Sequence, residues 1–300
     1  MSDFFGEPGY LYLLEDILEN GVLVPDRTGI GRIKVFDRKL IFAEEEFTHF
    51  SVRPCPPKFA FEEFWFMLNG KTQTKELEEK GIYFWKGNTS REFLDNRGLD
   101  YLDEGDMGYA YGSQWRRAGE GINPWCSFDQ LKNLIDTLEN DKYSSRMVVS
   151  LWSAPELDYM ALTPCWWACQ VLVIPGYQGK DTLHMKLINR SLDALFGLPF
   201  AVQQYRMFQK ALADMFGFRL GRLSCDLTDV HIYPNQVEYV TETLEREDYS
   251  FQNLWEWSLD ADWSGNKLDT LLNLEYDDFK FGDWKVNREK YITPRPEMAV

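Results

Sequence analysis

The chain has 300 residues, 44% of them hydrophobic, enough to bury a sizeable core as one large domain or two small ones. Its formal net charge of −16 opposes binding to a nucleic-acid backbone, where affinity comes mainly from lysine and arginine neutralising phosphates, so any phosphate bound here is expected to be small and held by a few placed arginines. No run approaches the roughly 18 apolar residues of a membrane span, and no basic region followed by an apolar stretch opens the chain, so a cytoplasmic location is expected.

Five scattered cysteines (Cys55, Cys126, Cys165, Cys169 and Cys225) argue against a disulfide framework, and none of the three histidines stands at metal-ligand spacing, so no metal is expected. No internal repeat, low-complexity tract or linker interrupts the sequence, which favours one domain over 1–300, with 246–285, rich in Trp, Asp and Leu, the hardest part to place. In chain order, "YLYLLEDILENG" carries apolar residues at Leu11, Leu14, Ile17 and Leu18 and stops at Asn20-Gly21, an amphipathic helix with a stop signal. "FEEFWFMLNG" reads as a second helix ending at Asn69-Gly70. "RMVVSLW", "CQVLVIPG" and "TLHMKLINR" read as strands, the last alternating Leu183, Met185 and Leu187 with Thr182, His184 and Lys186. "AVQQYRMFQKALADMFG" is a helix with an apolar stripe at Tyr205, Phe208, Leu212 and Met215, closed by Gly217. Helices mixed with adjacent strands predict an α+β fold.

Four stretches bear chemistry. "PDRTGIG" sets Arg27 in a glycine-bearing loop before a strand, a plausible anion contact. "INRSLDALFGLPF" ends a strand in Arg190-Ser191, a charge and a hydroxyl suited to an anion, followed by Asp193 and a Gly-Leu-Pro turn. "DVHIYPN" puts His231 and Tyr233 on one face of an extended segment, either to reach a sugar hydroxyl or as a core histidine beside a half-buried tyrosine. "TPCWWACQ" places Cys165 between a proline and two tryptophans, where a thiol is either core packing or a nucleophile.

"DRTG", "FEEFWFMLNG", "FWKGNTSREFLD", "YGSQWR", "ELDYMALTPC", "RSLDALFGLPF" and "DVHIYPN" follow one another in the order and approximate spacing of thymidylate synthases, and the chain ends in "RPEMAV", so it resembles that family over residues 10 to 245 plus the tail. The resemblance implies a homodimer with shared active sites, built through a large twisted mixed β-sheet with flanking helices. It also implies transfer of a one-carbon unit from 5,10-methylenetetrahydrofolate to C5 of a pyrimidine deoxynucleoside monophosphate. C5 is a poor nucleophile until a thiolate adds to C6, and Cys165 matches that thiolate. Arg27, Arg190 and Ser191 match phosphate-binding positions, and Arg146 matches an arginine given by the partner subunit. Glu62, beside Phe61, Trp65 and Phe66, is expected to have a raised pKa and to shuttle protons, with Glu63 solvated. Tyr111 matches the tyrosine that helps remove the C5 proton, and His231 and Tyr233 match the pair on the sugar 3′-hydroxyl. Trp85, Asn88, Asp193, Gly197, Phe200 and the terminal Val300 match the folate side, residues 286–300 forming a closing tail.

Departures from the family pattern cluster at the base. Trp166 replaces the histidine of "PCH", and Ala201 replaces the asparagine of "LPFN" that reads uracil, leaving Trp166, Gln203 and Gln204 as candidate base contacts. Ser145 takes the place of the first of two arginines before the strand, and Val52 stands where a folate-contacting lysine is common. Intact chemistry with altered base choice is the expectation: hydroxymethylation of dCMP or dUMP, with ordinary conversion of dUMP to dTMP as the alternative. A noncatalytic nucleotide-binding homologue is the reading from another class. A bacteriophage or other viral source making a modified DNA base is consistent with the first.

Overall fold

The computed structural model describes residues 4–25, 29–176, 179–249 and 252–296. Strand β1 (Phe4–Phe5) leads into α1 (Gly6–Asn20), which buries Tyr10, Leu13, Leu14 and Ile17. The expected stop is there: Gly21 N donates to Ile17 O at 3.0 Å, and a Cβ at Gly21 would lie 2.3 Å from that oxygen, so no other residue can leave the helix along this path. β2 (Val22–Val24) pairs antiparallel with β3 (Arg32–Phe42). α2 (Pro57–Leu68) starts on a proline, whose fixed φ and missing N–H suit a first helical turn. The short helices α3 (Lys75–Glu78), α4 (Arg91–Asn96) and α5 (Gly112–Arg117) follow, then α6 (Gln130–Asn140), capped by Asp129 accepting from Lys132 N at 2.9 Å.

The second half supplies β4 (Val148–Ser150), β5 (Trp166–Ile174), β6 (Thr182–Asn189), β7 (Leu192–Asp193), α7 (Gly197–Met215), β8 (Arg219–Ile232) and α8 (Val237–Glu245). The chain forms the expected α+β architecture, an eight-stranded twisted mixed sheet in the order β1-β3-β8-β6-β5-β4, with β2 on β3 and β7 on β8. β8 runs antiparallel to β3 and parallel to β6. α7 lies between α2 and the sheet, so it is buried nearly all round rather than along the single stripe expected. Arg206 on this helix is fully buried and spends its guanidinium on the carbonyls of Ala43, Glu46 and Gly221 and on Gln209 Oε1; burial brings it down to about 9.

Residues 246–285, unplaced by the sequence, contain β9 (Trp257–Leu259), α9 (Lys267–Leu272) and β10 (Phe279–Phe281), with β9 and β10 antiparallel. They cover the outer side of α2: Trp65 Nε1 donates to Leu271 O at 2.8 Å, and the stacked Phe61 and Trp65 rings meet Phe279 at 5.8 and 5.9 Å. The tail then returns over α8, Tyr291 stacking on Tyr239 at 3.8 Å and the Arg295 guanidinium lying 5.1 Å from the Phe196 ring. No helix of the described residues is long and apolar enough to cross a membrane.

Candidate active site

One end of the sheet collects the motifs. β5 starts immediately after Cys165 and β6 ends immediately before Arg190, and the pairing of Trp166 with Asn189 sets those residues side by side: Arg190 N donates to Cys165 O at 3.0 Å. The Arg190 side chain clamps the turn before the cysteine, Nε donating to Pro164 O at 2.9 Å and Nη2 to Thr163 O at 2.9 Å and Thr163 Oγ1 at 2.6 Å. Its Nη1 has no hydrogen-bond partner among the described residues and remains for an anion. β7 pairs with β8 so that Asp193 lies opposite His231, which brings Ser191 toward the same end. Ser191 Oγ accepts from Arg32 Nη1 at 3.3 Å.

His231 is buried, its Nδ1 2.9 Å from Asp229 Oδ1 and its ring edge-on to Tyr233 at 5.4 Å. Burial of Asp229 opposes ionisation, but hydrogen bonds from His231 and Lys34 and the nearby Arg32 charge outweigh it and hold the carboxyl at about 2. An ionised Asp229 fixes the Nδ1–H tautomer and orients the ring. Sequence reasoning missed Asp229, two residues before His231 on the same strand and legible at that spacing, and Arg32, which reaches the site only as a cross-strand neighbour.

The Cys165 side chain is half-buried, and its backbone N donates to the Tyr111 hydroxyl at 2.9 Å. Tyr111 has φ 30°, a left-handed conformation that costs about 1–3 kcal/mol in a non-glycine residue. Gly112 follows because a Cβ there would lie 2.1 Å from Lys71 O. Burial and the adjacent Cys165 push the Tyr111 phenol above its usual range. The Trp85 ring meets Tyr111 edge-on at 5.5 Å.

The glutamates of α2 exchange the places expected of them. Glu62 points into a separate cavity of about 350 Å³ on the outer side of the helix, held by Lys80 Nζ at 2.5 Å. Glu63 is the buried carboxylate of the Cys165 cluster, accepting from Trp85 Nε1 at 2.7 Å and from Gln204 Nε2 at 2.5 Å. The physical reason is that α2 is apolar on both sides. Phe61 and Trp65 are covered by residues 246–285, so their desolvating surface does not face Cys165, while Glu63 and Phe64 face α7. Burial pushes the Glu63 carboxyl up to about 7 against the pull of its two hydrogen bonds.

The sequence profile of thymidylate synthase matches residues 8–293. Thymidylate synthases of Homo sapiens, Agaricus bisporus and Candida albicans are 33%, 32% and 31% identical to it, over 98% of this chain in each case and over 91%, 98% and 98% of their own lengths. The chain belongs to the thymidylate synthase family. It is an enzyme of the one-carbon transferase class.

The remaining family positions divide between the base side and the outer rim. Ala201 is buried in the first turns of α7, and Trp166 is buried with its ring 6.3 Å from Tyr205. Gln204 meets Glu63, whereas Gln203 turns to Cys55, its Oε1 accepting from Sγ at 3.7 Å and its Nε2 donating to the carbonyl at 3.3 Å. Asp193 Oδ1 accepts from Leu195 N and Phe196 N at 2.9 and 2.8 Å and Oδ2 from Gln236 Nε2 at 3.0 Å, which leaves one lone pair on Oδ2. Gly197 is exposed, and Phe200 is half-buried with its ring 4.9 Å from Phe84. Asn88 is half-buried in the turn after Trp85. Val52 is fully buried with its N–H on Glu7 Oε1 at 3.0 Å, and the basic side chain comes one residue later: Arg53 donates to Leu195 O and lies 5.5 Å from the Phe196 ring. Arg146 is exposed just before β4. Arg27 and Val300 lie outside the described residues. Among the described residues, no group of three or more His, Cys, Asp or Glu side chains is arranged to hold a metal ion.

Proposed function

We propose that the protein transfers a one-carbon unit from methylenetetrahydrofolate to C5 of a pyrimidine deoxynucleoside monophosphate and completes it as a hydroxymethyl group. The observation that carries the transfer is the continuous contact path Cys165–Tyr111–Trp85–Glu63–Gln204, with the Arg190 clamp at the thiol and the Asp229–His231–Tyr233 group on the adjacent strand; the lean to a hydroxymethyl product comes from the altered base positions, Trp166 and Ala201. Cys165 Sγ adds to C6 and the electron pair moves onto C5 and the substituent at C4. Glu63, near half ionisation at neutral pH, lends a proton to the N3 and C4 side and takes it back. The C5 proton leaves to a water held by the Tyr111 hydroxyl, which burial keeps as a neutral phenol and which therefore steadies that water rather than keeping the proton. Arg190, with Arg27, Ser191 and the partner's Arg146, holds the phosphate, and His231 and Tyr233 hold the sugar.

The folate side has groups suited to a flat, amphipathic ring. The Arg53 guanidinium is buried with Nε lacking a partner among the described residues, Phe84 and Phe200 form an aromatic wall, and Asp193 keeps acceptor capacity. With Trp85, Asn88 and Gly197 these residues would hold the cosubstrate, and the tail from Tyr291 onward would close over it. When bound, it supplies the one-carbon unit and, as tetrahydrofolate, a hydride.

The uncovered sheet face, where Phe36, Leu172 and Ile174 are exposed, supports a homodimer through the sheet. Arg146→Ala and Cys165→Ser proteins, each inactive, should then regain partial activity when mixed and allowed to exchange subunits; no recovery despite proven exchange contradicts the shared site.

A second reading, methyl transfer to dUMP, is favoured by the names of the relatives. The two differ in whether water or hydride reaches the methylene on C5. Supplying dUMP, dCMP and CMP separately with methylenetetrahydrofolate, and identifying the product by mass and the folate by absorbance, separates them: only methyl transfer yields dihydrofolate. A hydroxymethyl product without dihydrofolate is the result proposed, and no turnover of any of the three contradicts both readings.

A further inference from the structure

The carboxamide of Gln204 is half used. Its Nε2 donates to Glu63 Oε2 at 2.5 Å, and its Oε1 accepts no hydrogen bond from the described residues. Ala201 precedes it by three residues on α7, buried and without a polar side-chain atom, a spacing that makes the two side chains neighbours on the helix surface, so position 201 offers the free end of the amide no competing polar group. Gln203 cannot share the task, because both ends of its amide are committed to Cys55.

We propose that Gln204 selects the base, presenting Oε1 to the amino group at position 4 of cytosine, with Glu63 determining which end of the amide faces the nucleotide. The proposal rests on the pyrimidine reading above and adds the identity of the base. An ionised carboxylate can only accept, so Glu63 demands Nε2 and turns the acceptor outward. Uracil carries a carbonyl oxygen at position 4 and would set two acceptors against each other. A protonated Glu63 can donate to Oε1 instead, freeing the amide to offer Nε2 outward and to admit uracil.

Burial brings that change near neutral pH, Glu63 being pushed up to about 7. The groups around its carboxyl are Trp85 and Gln204 in direct contact and the buried phenol of Tyr111, with the Tyr205 phenol, the Cys165 thiol and Arg190 lying beyond Tyr111; Glu62 and Lys80 pair on the far side of α2. Burial holds both phenols above their usual range, so neither titrates alongside Glu63. The phosphate, the sugar and the His231 group are common to both nucleotides and cancel from a ratio of affinities.

Calorimetric titration of the full chain with dCMP and with dUMP, without folate, tests this at about pH 8.5 and about pH 5.5, on either side of the Glu63 titration. The wild-type protein should bind dCMP at least about tenfold tighter than dUMP at the higher pH and lose most of that preference at the lower. Gln204→Met, of similar length and without the amide, should bring the ratio at the higher pH close to one, and Gln203→Met should leave it unchanged. If Gln204→Met does not fold, the wild-type pH dependence decides alone. Equal affinities or a uracil preference at the higher pH, a ratio indifferent to pH, or a preference kept by Gln204→Met overturns the proposal. Because binding is read without turnover, preference without turnover contradicts the transfer reading and keeps this one, while turnover without preference does the reverse. Binding of neither nucleotide contradicts both.

Discussion

Around Cys165 the polar groups are tied to main chain: Arg190 to Thr163 and Pro164, Tyr111 to the Cys165 N–H, and the whole turn to the paired ends of β5 and β6. Around Ala201 they are few and borne by side chains alone, with one glutamine turned away to Cys55 and the other hanging from Glu63. The first region cannot change without moving the sheet, whereas the second can be rebuilt by replacing side chains on one helix. Reaction chemistry kept and base selection altered is the outcome that such a division of labour permits.

The sharpest way to break the comparison is on the reaction side. Cys165→Ser should lower turnover by at least about a thousandfold while nucleotide binding stays measurable by calorimetry, since the phosphate and sugar contacts remain. Glu63→Gln should lower kcat by about 10²–10⁴-fold and flatten the limb of the kcat–pH profile near 7. Glu62→Gln, which removes a salt bridge to an exposed lysine, should leave kcat unchanged and alter stability by no more than about 1 kcal/mol. Equal losses from the two glutamate substitutions would erase the distinction between the faces of α2.

On the base side, Ala201→Asn should move the dUMP to dCMP ratio of kcat/KM toward dUMP by about 10–200-fold, the size of a gained contact rather than a rebuilt site. The smallest effect concerns stability. A folded-state value near 7 against the usual 4.5 means that the native protein holds the Glu63 proton longer than the unfolded chain does, so stability is greatest below the unfolded value and falls as pH rises through 7. Glu63→Gln has no such loss, and thermal unfolding at about pH 8 should find it more stable than wild type by about 1–3 kcal/mol, the difference vanishing near pH 4.

Much of this arrangement is written locally. The stop at Gly21 and the alternation of Leu183, Met185 and Leu187 in β6 are read from neighbouring residues. So is the order of the motifs that carry Cys165, Arg190 and His231. The alternation of Leu223, Cys225 and Leu227 in β8 is equally legible, and its phase breaks before Val230, so the strand is harder to follow into "DVHIYPN". Which glutamate of α2 faces Cys165 was not legible, because the helix is apolar on both sides and the covering segment lies some 200 residues later at Leu271. Arg32 and Asp229 come together through the pairing of β3 with β8, a partnership that no local pattern announces.

The central claim is that the Cys165 thiol activates C5 of a pyrimidine deoxynucleotide, and every later choice of base or product depends on it. Replacing the C5 proton of dCMP and dUMP with tritium and following its release to water on addition of methylenetetrahydrofolate measures that event whether methyl or hydroxymethyl is the product. The account predicts release from at least one nucleotide by the wild-type protein, in step with product, and none by Cys165→Ser. Undiminished release by Cys165→Ser, or a one-carbon product that retains the tritium, would contradict it.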